Sequence, residues 1–252
     1  MDLLDISLFM LAAFAGGAVN SVAGGGTFIT FPLLIVSGLT ALQANILSTI
    51  ALWPGAVASA FAYRKEQKIT LHQIKGLVVA SLIGSAIGTA ILLLAPESVF
   101  EALVPWLLLF ATLLLAFGGK FKAKQLPTAR SVDRAGGKII FLQFLIAIYG
   151  GYFGAGIGIL MLAALQLAGF SHMHQMNALK AILGSAINAV AVVIFIASGK
   201  VVWPIAVFMI AGGIVGGYVG ARLALKVQSQ TVRRLVVLIG FLMSVYFFVG
   251  DI

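Results

Sequence analysis

Two glycine-rich breaks inside long apolar runs hold the residues best placed for chemistry. They are Ala23-Gly24-Gly25-Gly26-Thr27 and, 132 positions on, Ala155-Gly156-Ile157-Gly158-Ile159. A helix broken in lipid leaves backbone N–H groups unpaired, tolerated only where they are buried in protein or face water. The half-helices that follow, expected to begin at Thr27 and Ile159, carry partial positive charge at their N-termini. Two such ends brought together make an anion site built from backbone donors. The candidate set is Asn20, Ser21, Gly24, Gly25, Gly26, Thr27, Tyr152, Gly154, Ala155, Gly156 and Gly158, joined by Lys180 and Asn188 from a later run. The competing reading of the glycines is close helix crossing alone.

Lys180 is the one basic residue well inside an apolar run. An embedded cation either neutralises a bound anion or snorkels to the nearby membrane edge. Asn188, in mid-run, needs partners if buried: a neighbouring helix or a ligand. Gln43 and Asn45 match Gln175 and Asn177 at two helix starts, as caps or as lining of a permeation path. Other chemistries lack their parts. There is no Cys, and His172 and His174 share one turn without acidic neighbours, which is too little for a metal site. The seven acids lie near run ends or in loops, so neither a Ser-His-Asp set nor an embedded carboxylate relay is available. Gly154 to Gly158 lacks the Lys-Ser/Thr of a phosphate loop. The reading is therefore non-enzymatic, with no catalytic residue, metal or cofactor.

The elements that must position these residues follow from run lengths. Residues 6–22 form an apolar run of 17, and the piece after the break reaches only to about Gly38. A segment that short covers about half a bilayer at 1.5 Å per residue. Residues 6–38 thus read as a broken hairpin that either re-enters or crosses twice. Spans follow at 45–63, where Pro54 is expected to kink the helix, at 73–95 and at 99–118. The order then recurs: a hairpin over 139–170 and spans at 175–197, 201–221 and 234–250. The 132-residue spacing also pairs Lys68 with Lys200, Gly84 with Gly216 and Gly88 with Gly220, without a gap from position 23 to 88. Trp53, Trp106 and Trp203 read as interface belts or packing.

The expected fold is an all-α integral membrane protein of two inverted five-helix repeats, each opening with a broken hairpin. It has about ten helical segments, six of them full spans. Residues 1–118 form the first repeat, 119–138 a basic linker and 139–252 the second repeat. Inversion follows from three full spans per repeat. Composition requires lipid: 62% of residues are hydrophobic and 9% charged, against about 25% charged in soluble domains. The net charge of +9 is not a nucleic-acid footprint, because fourteen of the sixteen Lys and Arg sit in three breaks that inversion places on one side. The positive-inside rule makes that side cytoplasmic and puts both termini outside, in the plasma (inner) membrane. A cleaved leader is not expected from an N-terminus carrying Asp2 and Asp5. The stripes Ala80-Gly84-Gly88 and Gly212-Gly216-Gly220 suit internal seams or a homodimer seam. The expected partners are lipid and a small anion.

The stretch Gly16 to Thr27 (GGAVNSVAGGGT) resembles the N-terminal signature of the TauE/SafE family of sulfite and sulfonate exporters. So do Gly150 to Gly158 (GGYFGAGIG), Asn177-Ala178-Leu179-Lys180 with Asn188, and Gly199 to Trp203 (GKVVW), so the similarity covers essentially the whole chain. It implies a permease for sulfur-containing anions such as sulfite, sulfoacetate or other organosulfonates. With the inverted halves, the expectation is a secondary transporter working by alternating access around a midplane anion site. Composition also admits an anion channel or a non-catalytic membrane subunit.

Overall fold

Each apolar run becomes a helix, and glycines at positive φ, Gly24, Gly38, Gly154, Gly169 and Gly199, stand at several of the breaks. The computed structural model describes residues 3–22, 24–64, 71–117, 131–170, 173–224 and 229–249. Its first five helices are α1 (Leu3–Val22), α2 (Thr27–Val36), α3 (Ala41–Ala62), α4 (Leu71–Leu94) and α5 (Glu97–Phe117). The second five are α6 (Ser131–Tyr152), α7 (Ile157–Leu167), α8 (Met173–Ala197), α9 (Trp203–Ala224) and α10 (Ser229–Val249). Among the described residues six helices are long and apolar enough to cross a membrane: α1, α3, α4, α5, α8 and α9. Their apolar side chains cover the outside as well as the core, with Leu94 86% and Val193 65% exposed. Such a surface needs lipid as its solvent. The chain is an all-α, multi-pass membrane protein.

The count of six matches expectation among the described residues, and α1 has full spanning length at 20 residues. Pro54 sits inside α3 without ending it. The segment read as a linker over 119–138 already carries helix from Ser131, interrupted at Gly136 (φ 8°, ψ −99°). Ala23, His172, Lys68, Lys226 and the linker cations up to Arg130 lie outside the described residues.

Helix boundaries recur along the chain at two spacings. Helix starts recur at 132 positions for α3 and α8 (41, 173), α4 and α9 (71, 203) and α5 and α10 (97, 229). The breaks recur at 130: α1 and α6 end at 22 and 152, and α2 and α7 begin at 27 and 157. Gly24 (φ 80°), Gly154 (φ 77°) and Gly156 (φ 75°) all lie in the left-handed region that glycine enters without strain. The helix boundaries decide the match: Gly24 and Gly154 each stand two residues after one helix ends and three before the next begins. Aligning glycines by residue type alone pairs Gly24 with Gly156 instead. As a result α7 begins at Ile157, two residues before the expected Ile159.

Packing exchanges the copies. α1 lies along α9, and α6 lies along α4. Gly216 abuts the Phe14 carbonyl as Gly84 abuts that of Phe144, and Gly220 meets Ala18 as Gly88 meets Ile148. The stripe positions recur at 132 and their partners at 130, so the slip is a property of the packed structure. A Cβ at any of these glycines would collide with backbone. The glycines of both stripes are therefore consumed in internal seams, and a homodimer would have to use another face. In a further seam Gly217 abuts the Gly55 carbonyl, whereas its counterpart Ser85 donates a hydrogen bond to the Ile187 carbonyl at 2.6 Å.

Candidate functional site

α1 ends in Asn20 and Ser21, turns at Gly24, and α2 restarts at Thr27. α6 ends at Tyr152, turns at Gly154, and α7 restarts at Ile157. The two turns touch. A Cβ on Gly24 would lie 2.6 Å from the Gly158 Cα, and one on Gly158 would lie 2.6 Å from the Gly24 Cα. Only two facing glycines permit that approach. Beside the contact is a small cavity of about 40 Å³.

Seven of the thirteen residues expected at the site line this cavity: Asn20, Ser21, Thr27, Gly154, Gly158, Lys180 and Asn188. The others build its frame. Gly25 faces Val236 (2.9 Å from a built Cβ) and Phe28, not the opposite turn. Gly26 packs back on Gly16 and Asn20 of its own hairpin, and Gly156 on Ala111. Ala155 is buried, and its carbonyl accepts from the Tyr149 hydroxyl at 2.8 Å. Tyr152 sets its ring edge-on to Phe100 and offers its carbonyl to Asn45 Nδ2 at 3.1 Å. Sequence reasoning passed over Thr49, Leu52, Ala56, Ser59, Ile157, Met161, Ala181 and Gly184, which complete the wall. A signal was there to find: Ala56 occupies the position 132 before Asn188.

The early amides of each half-helix lack intrahelical acceptors. Local turns take some: Phe28 N–H donates to Gly25 O at 3.2 Å, and Ile159 N–H to Gly156 O at 3.0 Å. Among the described residues the Gly158 amide, at the cavity wall, takes part in no such turn, and Thr27 stands at the same wall.

Lys180 does not snorkel. It is 4% exposed, and its Nζ donates to the carbonyls of Asn20 at 3.2 Å and Ser21 at 3.0 Å. Those carbonyls carry the negative end of the α1 dipole, so the ammonium caps that helix. Two partial charges do not neutralise a full one, which leaves positive potential in the cavity. Its counterpart Ser48 is neutral and accepts from Thr30 Oγ1 at 2.9 Å.

The matched Asn and Gln residues divide. α3 is capped by Thr40, whose Oγ1 accepts from Gln43 N–H at 3.3 Å while Gln43 Oε1 accepts from Thr40 N–H at 3.3 Å. Asn45 is no cap but a buried link to α6. Asn45 and Asn177 each keep one buried, unpaired Oδ1. Trp53, an expected belt or packing residue, is the latter: its Nε1 donates to the Ser185 carbonyl at 3.1 Å, and position 185 is its own repeat counterpart.

The family model described as sulfite exporter TauE/SafE matches residues 9–247. The chain belongs to the TauE/SafE family. It is similar to a probable membrane transporter protein of Haemophilus influenzae, 25% identical over 96% of this chain and 95% of that one. A probable membrane transporter protein, ORF9, of Sinorhizobium is 28% identical over 95% and 91% of the two chains. The probable membrane transporter protein YfcA of Escherichia coli K12 is 25% identical over 96% and 88%. No solved structure matches the chain significantly. As a TauE/SafE protein the chain is a membrane transporter.

Proposed function

We propose that this TauE/SafE transporter carries a small sulfur-containing anion, such as sulfite, sulfoacetate or another organosulfonate, across the plasma (inner) membrane. The anion binds between the two glycine turns. Its oxygens accept from the Thr27 and Gly158 amides and from Asn188, and Lys180 supplies the countercharge. The repeats lie upside down to one another, with the Arg64 end of α3 cytoplasmic and both termini outside. Alternating access proceeds by movement of one hairpin and its partners against the other around the fixed site. The membrane potential favours anion exit by about 2.3 kcal/mol per charge per 100 mV.

The observation that carries this reading is the contact of the two turns beside a cavity edged by Lys180. The cavity's small volume favours a carrier over a channel, since an organosulfonate enters only after the wall moves. The test is ligand-dependent thermal stabilisation of purified protein followed by counterflow in proteoliposomes. A ligand at 100 times its Kd should add about 2.7 kcal/mol to stability, and flux should saturate. Absence of both binding and flux for sulfite, sulfoacetate and taurine would remove the substrate class. Single-channel currents would replace the carrier with a pore.

A further inference from the structure

The central cavity is lopsided. Three pairs of wall residues are related by 132 positions: Thr49 with Ala181, Leu52 with Gly184 and Ala56 with Asn188. Ser59 and Lys180 line the wall without their counterparts. Ser59 lies one turn further along α3, and Lys180 lies near the start of α8, so both extend the cavity toward one face. That face carries Arg64 after α3 and Arg222 in the last turn of α9.

One turn beyond Ser59 stands Tyr63, 0% exposed. The hydroxyls of Ser59 and Tyr63 are both buried without a hydrogen-bond partner. Thr49 and Ser185, on the same two helices, bond back to the carbonyl four residues earlier; Ser59 does not. Two unpaired buried hydroxyls one turn apart point to polar occupants that they serve. Tyr63 packs with Ala178 and Ala221 in a small group apart from the main core. The equivalent positions of the other copy differ in kind. Ala191, Phe195 and Ile46, the counterparts of Ser59, Tyr63 and Ala178, all belong to the main apolar core. The same core also holds Phe31 and Phe100, whose rings meet Phe153 at 5.6 and 6.0 Å.

We propose that Tyr63 is the gate between the central cavity and the Arg64 face. The Ser59 and Tyr63 hydroxyls donate in turn to the oxygens of the passing anion, and the aromatic core around Phe195 is the opposite, closed gate. The structure is then the state nearer to opening toward the Arg64 face: among the described residues one ring seals that side, against the larger apolar core on the other. This assignment rests on the transport reading above, but its test does not depend on the substrate.

The absence of Cys makes single-cysteine probes direct. Ser59→Cys and Ala191→Cys are each placed in sealed vesicles of both orientations and exposed to a membrane-impermeant anionic thiol reagent. Ser59→Cys reacts from the Arg64 face, about tenfold faster when Tyr63→Ala is added, as expected when a seal that keeps the open state a minor population is removed. Ala191→Cys reacts much more slowly from either side. Full reaction of both variants in SDS and unchanged gel filtration establish that the comparison concerns access, not misfolding. A Ser59→Cys that stays unreactive even with Tyr63→Ala, or an Ala191→Cys that reacts equally fast, overturns the gate. Tyr63→Phe keeps the ring and the low labelling rate but lowers counterflow; full counterflow in that variant overturns the part given to the hydroxyl. If labelling follows this pattern while no sulfur anion is transported, the substrate class fails and the gate stands.

Discussion

Lys180 carries the electrostatics of the site through two contacts, to the carbonyls of Asn20 and Ser21. Hydrogen bonds to charged groups are worth about 1.5–3 kcal/mol. Lys180→Met retains the stem and removes the charge, so it should lower anion affinity by about tenfold or more while the protein stays folded. Affinity is read by thermal shift against anion concentration, and unchanged affinity reduces Lys180 to a helix cap. The glycine contact makes a separate prediction. Gly158→Ala forces the two turns apart, at a cost of about 1–3 kcal/mol for overpacking, and abolishes anion binding. Gly38→Ala is the control. Its φ of 86° is strained for alanine but nothing lies within 4 Å of the added Cβ, so it costs about 1–2 kcal/mol of stability and leaves affinity alone. Thermal unfolding and ligand titration of the two variants separate these outcomes. At this scale the sequence was legible where residue type decides chemistry: Lys180 and Asn188 were found as isolated polar groups in apolar runs. It was not legible for Thr49 or Ser59, which look like ordinary small residues until α3 is laid beside the cavity.

Between elements, a seam built twice gives different answers to the same substitution. Ser85→Gly removes one hydrogen bond to the Ile187 carbonyl, a loss of about 1 kcal/mol that the fold should tolerate. The converse, Gly217→Ser, drives a side chain into the Gly55 carbonyl and should prevent folding of α3 against α9. Expression and melting temperature of the two variants check this asymmetry. Run lengths and breakers foretold every helix, because lipid leaves the backbone no alternative to internal pairing. Boundaries at polar ends were less legible. The cap of α3 is Thr40, and the helical segment from Ser131 hides in a basic stretch. The slip from 132 to 130 is invisible to a match of glycines by letter, because it shows only in where the helices end and restart, at 22 and 27 against 152 and 157.

For the molecule as a whole, the exchange of hairpins between copies puts both broken helices at the centre, with apolar side chains turned outward to lipid. Membrane residence was readable from composition, and a meeting of the two breaks was expected from inversion; the particular pair in contact, Gly24 with Gly158, was not readable, because it depends on how the helices close around it. The account stands on an anion held at that contact. The most direct measurement is anomalous diffraction from crystals grown with selenite, a heavier analogue of sulfite, after solution titration has established that the protein binds it. The predicted result is a selenium peak within hydrogen-bonding reach of the Thr27 and Gly158 amides and the Lys180 ammonium. A peak elsewhere, with the space beside Gly24 and Gly158 vacant at saturating selenite, would contradict it.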